Sequence, residues 1–242
     1  MAPLFRINPR LDANQLHADF QVGGRIHIPD FLVLDDAERL LQFLKNSTAW
    51  HLVLNSGSKV FELDRETQAA LTPEQRSQLE QAAHAEARYG FQYCYETIRV
   101  ADAQSERAAS GTLLDEFAQF MSSPSALAFL KTVVGDDSIS FADAQGTAYG
   151  PGHFLTAHDD AVTGKNRRAA FVFNLSQDWS LDWGGLLAFH ERGSGRAEVM
   201  VPCFNAINLF AVPQLHSVTM VAPFAPRRRY SVTGWLRSGP RP

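Results

Sequence analysis

The sequence predicts an α+β protein: a double-stranded β-helix (jelly roll) with an N-terminal helical layer packed on one sheet. Helix start and stop signals crowd the first 135 residues. After Gly135 the texture changes to short apolar or alternating segments cut by Gly, Pro, Asn and Asp, which is how successive β-strands read. A helical half followed by many short strands fits helices covering one face of a double sheet. The chain reads as a single domain over 1–242, with 1–135 a helix-rich support and 136–242 the jelly-roll catalytic core.

Taken in order, residues 24–34 read as a short strand and lead-in. Asp35, with Glu38 three residues on, resembles a capping box for a helix in which Ala37, Leu40, Leu41 and Leu44 recur at helical spacing. Thr72 as N-cap, Pro73 at the first helical position and Gln75 at the third open a second helix that runs toward Tyr89 and stops at Gly90. Leu113, Leu114, Phe117, Phe120 and Met121 form another apolar stripe, and Ser123-Pro124 restarts a helix that ends near Gly135. Strands are expected at 139–149, 153–158, 169–175, 185–190, 206–210, 215–221 and 228–236.

Composition narrows the function class. Apolar residues at 45% and charged residues at 20% are ordinary for a globular protein and exclude extended disorder. A net charge of −4, with Arg227-Arg228-Arg229 the one strongly basic cluster, gives no case for direct nucleic-acid binding. Cys94 and Cys203 lie far apart without zinc-ligand or disulfide-framework spacing, which fits a reducing compartment. Residues 1–20 interleave Arg6, Arg10, Asp12 and Asp19 with apolar residues and lack a leader's hydrophobic stretch. No later run reaches about 18 apolar residues, so a cytoplasmic protein without a membrane partner is expected.

The chemistry is carried by His158-Asp159-Asp160 on a strand or its end, with His216 on a later one. Alternation puts His158 and Asp160 on one face, and a neighbouring strand can add His216. Two imidazoles and one carboxylate make the facial triad of non-haem Fe(II) oxygenases, which leaves positions open for cosubstrate and O2. By itself, H-x-D with a distant His is a weak signal. Farther on, Arg229, Ser231 and Thr233 share a strand face, and a guanidinium deep in a strand-built site needs an anion that matches its planar fork. A rim Arg paired with a surface carboxylate is the alternative for Arg229.

Over 149–235 the chain resembles the prolyl-hydroxylase-like branch of the 2-oxoglutarate oxygenases. The motifs run Tyr-Gly-Pro-Gly, His-Asp-Asp, Arg-Arg, Asp-Trp, Trp-Gly-Gly, Pro-x-x-Asn, His-x-Val and Arg-Tyr-Ser-Val-Thr-Gly-Trp. It is most similar to the ribosomal-protein prolyl hydroxylases, and the helical first half matches only in general style. The resemblance implies Fe(II) on His158, Asp160 and His216, and 2-oxoglutarate as cosubstrate with its distal carboxylate on Arg229. Ser231 adds a hydroxyl to that carboxylate, and ascorbate is an accessory reductant. Tyr149 matches a tyrosine lining the cosubstrate pocket, although a core tyrosine with a satisfied hydroxyl reads the same way. Gly184-Gly185 resembles a tight strand entry, and Trp179, Trp183 and Trp235 read as packing.

One residue departs from the family pattern. Asn174 stands where a tyrosine ordinarily joins the arginine at the cosubstrate carboxylate, and its amide is expected to reach that carboxylate, directly or through water. For the substrate, the resemblance implies C–H hydroxylation of a prolyl residue in a protein, with Arg167 or Arg168 bordering the entrance; Arg167 is the substrate candidate. A free amino acid or other small metabolite is the alternative, because scaffold and triad are shared across substrates. Two further readings are a zinc- or manganese-binding jelly roll that is no oxygenase, and a catalytically silent interaction module. His17, His27, His51, His84, His153 and His190 have no partner at ligand spacing and read as structural or surface residues.

Overall fold

A computed structural model describes residues 5–57, 59–101, 103–191 and 193–241. The first four residues of the N-terminal stretch read for a leader lie outside them. Helices and strands follow in the order α1 (Ala13–Gln21), β1 (Arg25–Ile28), α2 (Leu34–Asn46), β2 (His51–Ser56), β3 (Lys59–Leu63), α3 (Arg65–Ala70), α4 (Pro73–Glu86), β4 (Tyr93–Arg99), α5 (Gln104–Ser110), α6 (Leu113–Met121) and α7 (Pro124–Val134). Then come β5 (Ile139–Ala142), β6 (Gln145–Tyr149), β7 (Phe154–His158), β8 (Arg167–Asn174), β9 (Leu187–Glu191), β10 (Arg196–Met200), β11 (Ala206–Ala211), β12 (His216–Val218) and β13 (Arg229–Ser238).

The strands pair antiparallel in the order β1-β11-β8-β13-β6-β4-β7-β12-β9-β10, the path of a jelly roll nearly closed on itself. β4 joins its two halves, pairing with β6 through Glu96 to Arg99 and with β7 through Tyr93 and Cys94. The helical layer covers the face of β8, β11 and β13 that carries Phe171, Phe173, Ile207, Leu209, Val232 and Leu236. Against it pack Leu40, Leu41 and Leu44 of α2 and Phe117 and Met121 of α6, all buried. Each such side chain contributes about 1.5–3 kcal/mol of transfer free energy. Strand alternation turns Ala170, Val172 and Phe210 the other way, toward Leu187 and Phe189 in the barrel interior.

Two local predictions need correction. α2 is not capped by Asp35: Val33 is its N-cap, with no side-chain hydrogen bond. The buried Asp36 carboxylate is committed instead to the backbone N–H and Nε of Arg6 and to Arg39, tying the N-terminal segment to the helix. The long strand at 139–149 divides into β5 and β6, and between them the Asp143 carboxylate accepts the Trp235 backbone N–H at 2.8 Å. At α4 the expectation holds, with Thr72 and Gln75 forming the reciprocal capping box and Pro73 inside it. Gly184 is required by backbone geometry, since its φ is +64° and a Cβ would run into the Met220 carbonyl oxygen.

Candidate metal centre and cosubstrate pocket

Register brings the histidines together. His158, the last residue of β7, is the Cα partner of His216, the first residue of β12, and their rings lie 4.2 Å apart. Asp160 is two residues beyond the end of β7 with φ +63°, so its carboxylate reaches the histidines by a left-handed turn of the backbone instead of by strand alternation. Its Oδ1 is 3.5 Å from His158 Nε2 and its Oδ2 is 3.6 Å from His216 Nε2. Among the described residues this is the one group of His, Cys, Asp and Glu whose ligand atoms all fall within 4.8 Å of one another.

Both rings are aimed by their backbones. His158 Nδ1 lies 3.0 Å from the Thr156 carbonyl and His216 Nδ1 lies 2.8 Å from that of Gln214, so each Nδ1–H donates to a carbonyl and each Nε2 lone pair faces the centre. Burial, reinforced by the neighbouring His158, pushes His216 down to about 4, which keeps it an uncharged ligand at neutral pH. Burial alone would raise the Asp160 carboxyl, but its interactions with His158 and His216 outweigh this, leaving the group below the usual carboxylate range. The donor set, two imidazoles and one carboxylate, fits a divalent iron.

Arg229 lines the same cavity of about 290 Å³, opposite Tyr149 in the β13·β6 register. It is 1% exposed, and its guanidinium carbon lies 5.3 Å from the Tyr149 ring centroid. Nη2 donates to Asn174 Oδ1 at 3.4 Å, while Nε and Nη1 have no partner. Burial lowers its pKa to about 10, so it remains a cation at neutral pH. A buried cation with two unused donors fits a carboxylate that the protein itself does not supply.

The structure separates the remaining candidates. Tyr149 lines the cavity, stacked on Tyr95 at 5.3 Å, and burial raises its hydroxyl well above the usual range. Asn174 lies behind Arg229 instead of in the cavity; its amide donates to the Val172 and Ala206 carbonyls, so it is not aimed at a cosubstrate. Ser231 is fully buried and its hydroxyl meets Thr147 Oγ1 at 2.8 Å, and it is Thr147 that faces the cavity. Arg167 lines the cavity, its guanidinium 3.5 Å from the Trp235 ring centroid and its Nη1 donating to the Asp160 carbonyl oxygen at 3.0 Å. Arg168 points elsewhere and pairs with Asp136 at 2.6 Å.

Sequence reasoning missed Trp235 as a cavity wall, and also Tyr93, Tyr95 and Thr147. Trp235 follows Thr233 at the spacing of a shared strand face, a signal that was available. The aromatic pair on β4 had none, because that strand was not anticipated. The other histidines take structural partners: His27 meets Asn208, His190 meets Ser217, and His153 accepts the Gly150 N–H.

Residues 144–237 match the family described as the 2OG-Fe(II) oxygenase superfamily. No curated protein matches the sequence. In fold the chain is similar to a prolyl-4-hydroxylase from Pseudomonas putida, at 16% identity over 95% of this chain and 100% of that one, TM-score 0.59. It is also similar to a prolyl hydroxylase from Trichoplax adhaerens in complex with a hypoxia inducible factor peptide fragment, at 15% identity over 93% of this chain and 89% of that one, TM-score 0.61. A third similar structure is the non-heme alpha ketoglutarate dependent epimerase SnoN from nogalamycin biosynthesis, at 12% identity over 92% of this chain and 81% of that one, TM-score 0.54. At such identities these structures establish the fold, and the family match supports an oxygenase.

Proposed function

We propose that this chain, a 2-oxoglutarate-dependent dioxygenase of the 2OG-Fe(II) family and prolyl-hydroxylase-like in fold, hydroxylates a C–H bond of a prolyl residue in a protein. Residues 1–242 act as one catalytic domain, and the two unpaired cysteines support a cytoplasmic location. His158, Asp160 and His216 hold Fe(II), and Arg229 holds the distal carboxylate of 2-oxoglutarate. The observation that carries this reading is a single cavity lined both by the three-ligand cluster and by a buried guanidinium with two unused donors. When bound, iron, 2-oxoglutarate and O2 supply the oxidant that inserts one oxygen atom into the C–H bond, the cosubstrate leaving as succinate and CO2.

The protein's own part is placement. The Thr156 and Gln214 carbonyls fix both imidazoles, and Arg167 holds the Asp160 backbone. Asn174 steadies Arg229 from behind, and Ser231 steadies Thr147. Leu155, Leu187 and Val218 line the cavity with apolar surface that excludes water and strengthens the charge pairing inside.

Anaerobic addition of Fe(II) and 2-oxoglutarate is expected to produce a visible metal-to-ligand charge-transfer band, absent in His158→Ala and Asp160→Ala. A band of normal intensity in either variant removes that residue from the site. Mass spectrometry of a cell extract incubated with enzyme, iron and 2-oxoglutarate is expected to show a prolyl peptide gaining one oxygen atom. A gain confined to a free metabolite would assign the enzyme to small-molecule hydroxylation.

A further inference from the structure

Beside the metal cavity lies a second cavity of about 540 Å³ whose charged lining is one-sided: Arg99, Lys165, Arg167 and Arg237 against the single carboxylate of Asp143. The two cavities adjoin, sharing Arg99, Gln145, Arg167 and Trp235 as lining. Asp143 is already committed, accepting the Trp235 backbone N–H at 2.8 Å and pairing with Arg237 Nη1 at 3.2 Å. Arg99 pairs with Glu62 at the rim. Lys165 has no ion pair among the described residues; only its backbone is engaged, the N–H donating to the Val162 carbonyl and the carbonyl accepting from Arg237 Nε. Arg167 keeps a buried Nε with no partner, and the carboxylate it pairs with, Asp160 at 3.7 Å, is a metal ligand in the proposed function. Once Glu62 and Asp143 are set against Arg99 and Arg237, the charge of Lys165 remains uncompensated, and so does that of Arg167 when Asp160 is committed to the metal.

We infer that the substrate is an acidic peptide, with a Glu or Asp side chain flanking the reacting residue seated between Lys165 and Arg167. The inference rests on the proposed function only in taking the metal cavity as the reaction centre. Arg167 faces both cavities, whereas Lys165 and Arg237 line the second alone. A ligand whose C–H bond lies at the metal while its carboxylate reaches Lys165 is therefore extended, as a peptide is. The metal cavity's other wall is uncharged and aromatic, with Phe91, Tyr93 and Tyr95, so the cationic side sets the direction in which the acidic flank must run. Two uncompensated cations at one mouth also steer an acidic chain toward it.

The test uses enzyme loaded with Fe(II) and 2-oxoglutarate under anaerobic conditions, and N-acetylated heptapeptides with a central proline in which each flanking position in turn carries Glu or Gln. Dissociation constants are read by fluorescence anisotropy. At one or two positions Glu is expected to bind about tenfold more tightly than Gln, the difference between a charge-assisted and a neutral hydrogen bond. The preference should fade in about 1 M salt, where the Debye length is about 3 Å. It should also disappear in Lys165→Ala, with the charge-transfer band and 2-oxoglutarate affinity retained. Equal binding of Glu and Gln at every position, or a preference that survives Lys165→Ala, overturns the inference. Free N-acetylglutamate competing as well as the best heptapeptide overturns the peptide form of it. A parallel series with alanine at the centre separates this from the prolyl reading: a Glu preference in both series, with no proline hydroxylated on admitting O2, keeps the basin and sinks that reading. Hydroxylation without any Glu preference does the reverse.

Discussion

Replacing Arg229 by Met probes the cosubstrate end of the site in two opposite directions. The side chain is 1% exposed, its Nε and Nη1 have no partner, and its one hydrogen bond, to Asn174, is long at 3.4 Å. With 2-oxoglutarate bound, removing the cation leaves a buried carboxylate uncompensated, which costs about 2–4 kcal/mol and weakens binding roughly 30- to 1000-fold. Without ligand the sign reverses, because a buried guanidinium without a counter-ion is a desolvation cost that an unbranched apolar side chain does not carry. The ligand-free variant is therefore expected to be at least as stable as the parent. Asn174→Ala removes a weak partner of Arg229 and is expected to lose only about 1 kcal/mol, or roughly fivefold. Calorimetric titration of the Mn(II)-loaded proteins with 2-oxoglutarate, and thermal melts with and without it, measure all of these. Near-normal affinity in Arg229→Met would refute the assignment and move the anchor to another cation; a large loss from Asn174→Ala would show that the amide sets the guanidinium's position.

Three further outcomes follow from the geometry. Arg167→Ala removes the donor to the Asp160 carbonyl and the cation stacked on Trp235, and should weaken metal binding about 10- to 100-fold, as loss of a residue supporting a ligand does; unchanged Mn(II) titration would limit Arg167 to the substrate side. His153 is held down to about 4 by burial and by Arg228, against 6.5 for the free group. Above pH 6.5 it costs nothing, whereas below that the unfolded chain binds the proton first, so stability falls as pH drops toward 4, by about 3 kcal/mol in all. Urea midpoints at pH 7 and near pH 4.5 should show a smaller drop for His153→Gln, and equal drops would assign the acid sensitivity elsewhere. Gly184→Ala meets the Met220 carbonyl at a φ of +64° and should cost about 2–3 kcal/mol, seen as a melting temperature roughly 5–10 °C lower; an unchanged melt would mean that the strand entry yields.

What could be read from the sequence was whatever depends on near neighbours. The His158, Asp160 and Arg229 signals are short-range patterns, and the strands after Gly135 carry their own turn residues. β4 escaped notice because Tyr93 to Arg99 become a strand through pairing with β6 and β7, some fifty residues on. The direction of Asn174 and Ser231 was equally hidden. Arg229 and Ser231 do share a face, but Ser231 sits opposite both Thr147 and Asn174 in the three-strand register, deeper than the cavity floor. Alternation gives the side of a strand on which a residue lies, not how far along it the cavity extends. Asp160 shows the converse, since it reaches the two histidines although not by the expected strand geometry: the left-handed turn after His158 does the placing.

Charge ties the two ends of the cavity together. Asp160, Arg167 and Arg229 all line it. In the proposed function Fe(II) adds two positive charges and 2-oxoglutarate two negative ones, so both together leave the cavity's charge unchanged, whereas either alone shifts it by two in a cavity walled by Leu155, Leu187 and Val218. Each ligand must then strengthen the binding of the other, and linkage requires the same factor in both directions. Arg229 touches no metal ligand, yet replacing it should weaken metal binding measured in the presence of 2-oxoglutarate and leave or improve metal binding measured without it. A deficit of equal size in both conditions would mean that the substitution had disturbed the triad itself, and the electrostatic account of the site would fail with it.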